Sequence, residues 1–121
     1  MELRFDEKRK IAHIRMSGAL SSEEILGAFD AAVSDDRYRD GMGRLWDLRE
    51  ADLSSLDAQI IVSMAQYSLK YPPGVNDAKV AFVTARDLEF GLSRMFELSS
   101  KANTPIRVFR EMREAEEWLA T

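Results

Sequence analysis

KVAFVTARDLEF, Lys79 to Phe90, decides the fold. Its four consecutive apolar residues, Val80-Ala81-Phe82-Val83, suit a strand covered on both faces, as strands of parallel sheets are. Asp87 stands where a helix cap is expected. Leu88, Leu92, Met95 and Phe96 then recur at helical spacing, which predicts a helix whose apolar face returns to the sheet. A doubly covered strand that runs straight into an amphipathic helix is the repeating element of an α/β fold.

The same alternation extends in both directions. Toward the C-terminus, Ile106 to Phe109 reads as a short strand with Pro105 at its start. Glu111 to Leu119 follows as a helix with Met112, Ala115, Trp118 and Leu119 apolar. Toward the N-terminus, YPPG from Tyr71 ends a helix of about Leu56 to Leu69, because proline cannot continue one. That helix is apolar at Leu56, Ile60, Ile61, Met64, Ala65 and Tyr67, with Val62 on its other side, a face wider than one buried stripe requires. Ser54 and Ser55 stand before it as caps, with Asp57 three residues after Ser54.

Leu45 to Leu48 is a strand with Trp46 and Leu48 on one face and Leu45 and Asp47 on the other. Ser21 and Glu24 have the spacing of a capping box, and Ile25, Leu26, Phe29, Ala32 and Val33 continue that helix. Ile11 to Met16 is a strand ended by Ser17-Gly18, and Leu3 and Phe5 form a short strand joined to it by the polar turn DEKRK. The expected order is ββαβαβαβα in a single α/β domain of residues 1–121. Its sheet is mixed and mostly parallel, its crossovers right-handed, and its first strand an antiparallel edge.

Composition narrows the function. The 17 basic and 21 acidic residues give a net charge of −4 and are interspersed, which argues against a generic nucleic-acid binder. The absence of cysteine removes disulfides, thiolate metal sites and Cys nucleophiles. No apolar run approaches the roughly 18 residues of a membrane span. MELRFDEKRK lacks the apolar segment of a signal peptide, so a cytoplasmic location is expected. No cofactor motif is present: there is no phosphate-binding glycine loop, no GxGxxG and no GxSxG. His13, the only histidine, alternates with Ile11 and Arg15 along its strand and has no second nitrogen ligand, so neither a metal site nor a catalytic triad is expected.

In open α/β sheets, ligands bind beyond the carboxyl ends of the strands. That rule selects Ser17-Gly18, Asp47 to Arg49, Thr84 to Asp87 and Arg110-Glu111. Asp47, Arg49, Arg86 and Asp87 would there form a charged cluster. The wide second helix, together with Tyr67, Tyr71, Phe90 and Leu98, leaves more apolar area than a core of this size absorbs, which marks an interface or a ligand groove.

Four motifs carry a family resemblance: MSGALSSEEI (Met16 to Ile25), LWDLRE (Leu45 to Glu50), KVAFVTARDLEFGLSRMFE (Lys79 to Glu97) and IRVFREMREAEEWL (Ile106 to Leu119). Together, and in this order, they resemble the SpoIIAA-like family of the STAS superfamily of anti-sigma-factor antagonist domains. The resemblance implies a βα superhelix. It also implies a switch serine near the start of the helix after the third strand, and the matching positions are Ser54 and Ser55. Here Leu53 precedes the serines and Leu56-Asp57 follow them, where the switch pattern has an Asp-Ser and then a small residue. The family in turn is similar to CRAL-TRIO lipid-transfer domains, which hold an apolar ligand between helices and sheet.

The expectation is therefore a non-enzymatic module that binds a protein partner, a second copy of itself or a small apolar ligand. Asp47, Arg49, Arg86 and Arg94 are its candidate contact residues. The alternatives are a phospho-regulated antagonist switching at Ser54 or Ser55, a lipid-binding protein, and an enzyme with a strand-end site at Asp47 and Arg86.

Overall fold

The computed structural model describes residues 1–100 and 104–121. β1 (Glu2–Asp6) and β2 (Ile11–Ala19) form an antiparallel hairpin in register from Glu2 opposite Arg15 to Asp6 opposite Ile11. The turn between them is made by Asp6, whose Oδ1 accepts a hydrogen bond from the Arg9 amide at 3.1 Å, and by Lys10 in the left-handed region at φ 57°. The order of elements is the expected one: α1 (Ser22–Ser34), β3 (Gly43–Asp52), α2 (Ala58–Ala65), β4 (Val80–Val83), α3 (Asp87–Ser99), β5 (Ile106–Phe109) and α4 (Met112–Leu119).

Three boundaries differ from the sequence reading, each for a local reason. First, β2 does not end at Ser17-Gly18. Its register with β3 shifts between Arg15 and Ser17, pairing resumes with Ser17 opposite Glu50 and runs to Ala19 opposite Asp52, and Gly18 takes up a φ of 75°. A bulge ahead of Ser17, with the extra residue on β3, lets the pairing run on, and β3 is correspondingly longer than Leu45 to Leu48. Second, α2 starts later. Its cap is Asp57, whose Oδ1 accepts from the Ile60 amide at 2.8 Å, and after Ala65 the chain tightens into a 3₁₀ turn, Tyr67–Lys70. The serines do other work: the Ser54 amide donates to Asp52 at 2.9 Å and Ser55 Oγ donates to the Leu20 carbonyl at 2.9 Å. Third, Asp87 lies in the first turn of α3 rather than at its cap, which is Arg86 without a side-chain cap bond. The Ser21–Glu24 capping box of α1 is formed in both directions, at 3.2 and 3.1 Å.

The strands lie in the order β1-β2-β3-β4-β5, and only the first pair is antiparallel. Because β2 to β5 advance in one direction, right-handed crossovers place α1, α2 and α3 on a single face. There Phe29, Ile61, Met64 and Phe96 meet Ile14, Trp46, Leu48, Phe82 and Ile106. α4 alone covers the other face, where Ala115 and Leu119 pack on Ile11, Leu45, Ala81, Val83 and Phe109. The approach is close at Gly43, where a Cβ would stand 3.1 Å from Leu119 Cδ2. Val80 to Val83 are all buried, because β4 is the strand that both layers cover. Among the described residues no helix is long and apolar enough to cross a membrane.

Candidate functional site

The sheet has no topological switch point, since β2 to β5 advance without reversal. The crevice that collects strand-end residues in doubly wound sheets therefore does not form, and the expected charged cluster is divided. Asp47 points to the α4 face and is held by Arg49 through two side-chain bonds of 2.9 and 2.8 Å, which keep its carboxyl below the usual carboxylate range. Arg86 is engaged with Glu89 at 2.8 and 2.7 Å, and Asp87 with Arg110 at 2.8 Å. Arg94 pairs with Glu97 at 2.9 Å and stands half exposed.

Arg86 belongs to a structural clamp. Glu89 is buried, and its Oε2 also accepts from the Leu53 amide at 3.0 Å, so α3 is tied to the end of β3. The Arg86 guanidinium and, more weakly, the Leu53 amide hold the Glu89 carboxyl below its ordinary value against the opposing effect of burial. These contacts satisfy the pair internally.

Two other places remain. One is the part of the second sheet face that α4 leaves uncovered, a polar groove lined by Arg4, His13, Arg15, Asp47, Arg49 and Glu116 among others. His13 is buried there, with its ring proton affinity lowered by burial and then by Arg4. Arg15 pairs with Glu50 at 3.0 Å and Arg9 with Glu116 at 3.4 Å.

The other place is a cavity of about 80 Å³ between the three-helix layer and the sheet. Its wall is built by parity and periodicity. Trp46 and Leu48 face it from β3, Val80 and Phe82 from β4, and Ile61, Met64 and Ala65 from α2; Phe29 and Ile25 come from α1, Leu92 and Phe96 from α3. Ile25, Leu26, Tyr67, Leu92 and Phe96 are only half-buried, so the space reaches the surface along the helices. On one side the wall is pinned by Asp30, whose carboxylate accepts from the hydroxyls of both Tyr67 (2.7 Å) and Tyr71. Burial and then the Asp30 contact push the Tyr71 hydroxyl up to about 12. Burial would push the Asp30 carboxyl up, but the two hydroxyls outweigh it and hold it low.

One side chain in this wall carries a charge. Arg44 is 1% exposed and lines the cavity. Its Nη1 donates to Tyr38 Oη and to the Val75 carbonyl, both at 3.0 Å, and its guanidinium lies 5.0 Å from the centre of the Phe29 ring. Sequence reading passed over it, although parity carried the signal: Arg44, Trp46 and Leu48 lie two apart on one strand, so Arg44 shares the core face. Of the large residues suspected of exceeding the core, Tyr67 and Tyr71 are half-buried beside the cavity and Leu98 is 76% exposed.

The sequence matches no protein-family model and no curated protein. Among solved structures, it is similar to an uncharacterised protein of the DUF3478 family with a SpoIIAA-like fold from Shewanella loihica PV-4. The TM-score is 0.59 at 17% identity, over 98% of this chain and 90% of that one. The chain has a SpoIIAA-like fold. The expected architecture and the resemblance read from the four sequence motifs both agree with this. At that identity the likeness is one of fold.

Proposed function

We propose that this SpoIIAA-like domain is a non-enzymatic binding module that takes a small apolar ligand between its three-helix layer and its sheet. The cavity carries the reading. Proteins pack at crystal-like density, and the apolar side chains that line this space lack partner atoms on one side. It is several times larger than the roughly 10–15 Å³ that one water needs, yet its apolar wall offers a water few hydrogen-bond partners. A ligand with an apolar body regains the lost contacts. Asp47, Arg49, Arg86 and Arg94 are already engaged with neighbouring side chains in this reading, and a catalytic role for Asp47 with Arg86 is disfavoured because each is paired elsewhere.

A phospho-switch at Ser54 is the second reading, favoured by its exposure and by Arg86, whose Nη2 lies 3.4 Å from the Asp52 carboxylate that caps the Ser54 amide. A phosphate there would compete with Asp52 for Arg86.

Benzene, a neutral and compact probe, tests the first reading. Methyl resonances of Ile25, Ile61 and Met64 are expected to shift saturably as benzene is added, and those of Ala115 and Leu119 to stay in place. Shifts that are absent, or linear and spread over both faces, would remove the apolar-ligand reading and leave a protein-partner module.

A further inference from the structure

We infer that the ligand of this cavity is a carboxylate with a short apolar tail, its head bound by Arg44. The inference rests on the apolar-ligand reading and adds to it the chemistry of the head group.

Arginine keeps its charge in a protein interior, because its guanidinium stays protonated at any accessible pH. A buried charge is costly unless it is paired and hydrogen-bonded. Arg44 forms no salt bridge with any carboxylate among the described residues. Among the described residues, both of its hydrogen bonds leave from Nη1, and Nε is buried with no partner. The acid that acts on it from a distance, Asp77, uses Oδ1 to accept the Gly74 amide at 2.8 Å. The Phe29 ring and the Tyr38 hydroxyl soften the cost of the cation without neutralising it.

The geometry of what remains is informative. Nη2 makes no hydrogen bond among the described residues, so that edge of the guanidinium can donate a charge-assisted hydrogen bond to a carboxylate. That edge belongs to a side chain in the wall of a mostly apolar cavity. An anionic head against this edge, with its tail among Trp46, Phe82, Ile61 and Met64, would satisfy both the cation and the void. An amphiphile of the opposite charge would meet an unscreened like charge in a low-dielectric site. The space favours a tail of a few carbons.

The test compares three probes with one tail, pentanoate, 1-pentanol and pentylamine, titrated at pH 7 and read from the cavity methyls and from the Arg44 Nε–H resonance. Pentanoate is expected to bind at least tenfold more tightly than pentanol and to move the Nε–H signal, and pentylamine not to saturate. In Arg44→Met, which keeps an unbranched side chain and loses the charge, acid and alcohol should bind alike. Equal binding of pentanoate and pentanol to the unaltered protein, with benzene still bound, would overturn the carboxylate inference and leave the apolar cavity standing. Failure of benzene, pentanol and pentanoate together would remove both. Should Arg44→Met fail to fold, the ranking of the three probes on the unaltered protein still decides.

Discussion

The two faces of this sheet are made by the same strands and have little else in common. One carries α1, α2 and α3 and buries a large apolar cluster in which a cavity and a lone arginine sit. The other carries α4, which packs over β3, β4 and β5 and leaves a polar groove beside β1 and β2. The difference follows from winding. A parallel sheet that advances in one direction sends every right-handed crossover to the same side, so its second face is covered only by what the chain adds at its end. The cavity thus lies between the helix layer and the sheet rather than at the carboxyl ends of the strands, where a doubly wound sheet has its crevice.

Substitutions on the two faces should differ most where packing is deepest. Phe82 contacts Phe96 edge to face with centroids 5.3 Å apart, and Phe82→Ala is expected to cost about 3–5 kcal/mol in denaturant unfolding. Arg15, half exposed and paired with Glu50 on the open face, should change stability by no more than about 0.5 kcal/mol as Arg15→Ala. Similar losses for both would mean that α4 and the groove hold the sheet as firmly as the three helices do.

The clamp at the end of β3 sharpens the comparison with a smaller effect. Glu89→Gln keeps the shape but removes the charge that Arg86 meets, and is expected to lose about 1–3 kcal/mol at neutral pH. The Glu89 carboxyl is held below its ordinary value of 4.5. Its contribution is therefore complete above 4.5 and is lost as pH falls through the lower folded value. Unfolding curves of the two proteins should converge in acid; a gap that stays constant from pH 7 downward would show that the charge plays no part.

On the open face the expected effect is smaller and falls in another window. Burial first, and Arg4 next, lower the His13 ring below its ordinary 6.5, with Arg9 acting in the same direction and Glu116 and Asp6 against it. The unfolded chain thus takes up the proton first as pH drops below 6.5, and the folded state loses stability there. His13→Gln should abolish that slope below about pH 6.5. Parallel midpoint curves for the two proteins would indicate a ring that titrates freely in the groove.

These contrasts also separate what was legible in the sequence from what was not. Val80 to Val83 announced a doubly covered strand because burial on both faces removes alternation, and Ser21 with Glu24 announced a helix start because a capping box is a local device. Local rules stopped short where tertiary pairing decided. The extension of β2 past Met16, Ser17-Gly18-Ala19, is stabilised by β3, and its small residues carry no strand signal of their own. Ser54 and Ser55 looked like caps, yet Asp57 caps α2 while Ser55 reaches across to the Leu20 carbonyl. Asp47 and Arg86 looked like neighbours because both follow strands, but they answer to different partners. Arg44 and Glu89 escaped notice because charged residues are rarely buried; only the face they share with apolar neighbours betrays them.

The strand order has a consequence for synthesis. Every pair in the sheet joins strands that are neighbours in the chain, so closing each one costs only the loop and helix between them. In a chain growing from its N-terminus, each strand after the first finds its earlier partner already made. The far face is different: Leu45, Ala81 and Val83 stay bare until α4, which follows every strand of the sheet, arrives to cover them.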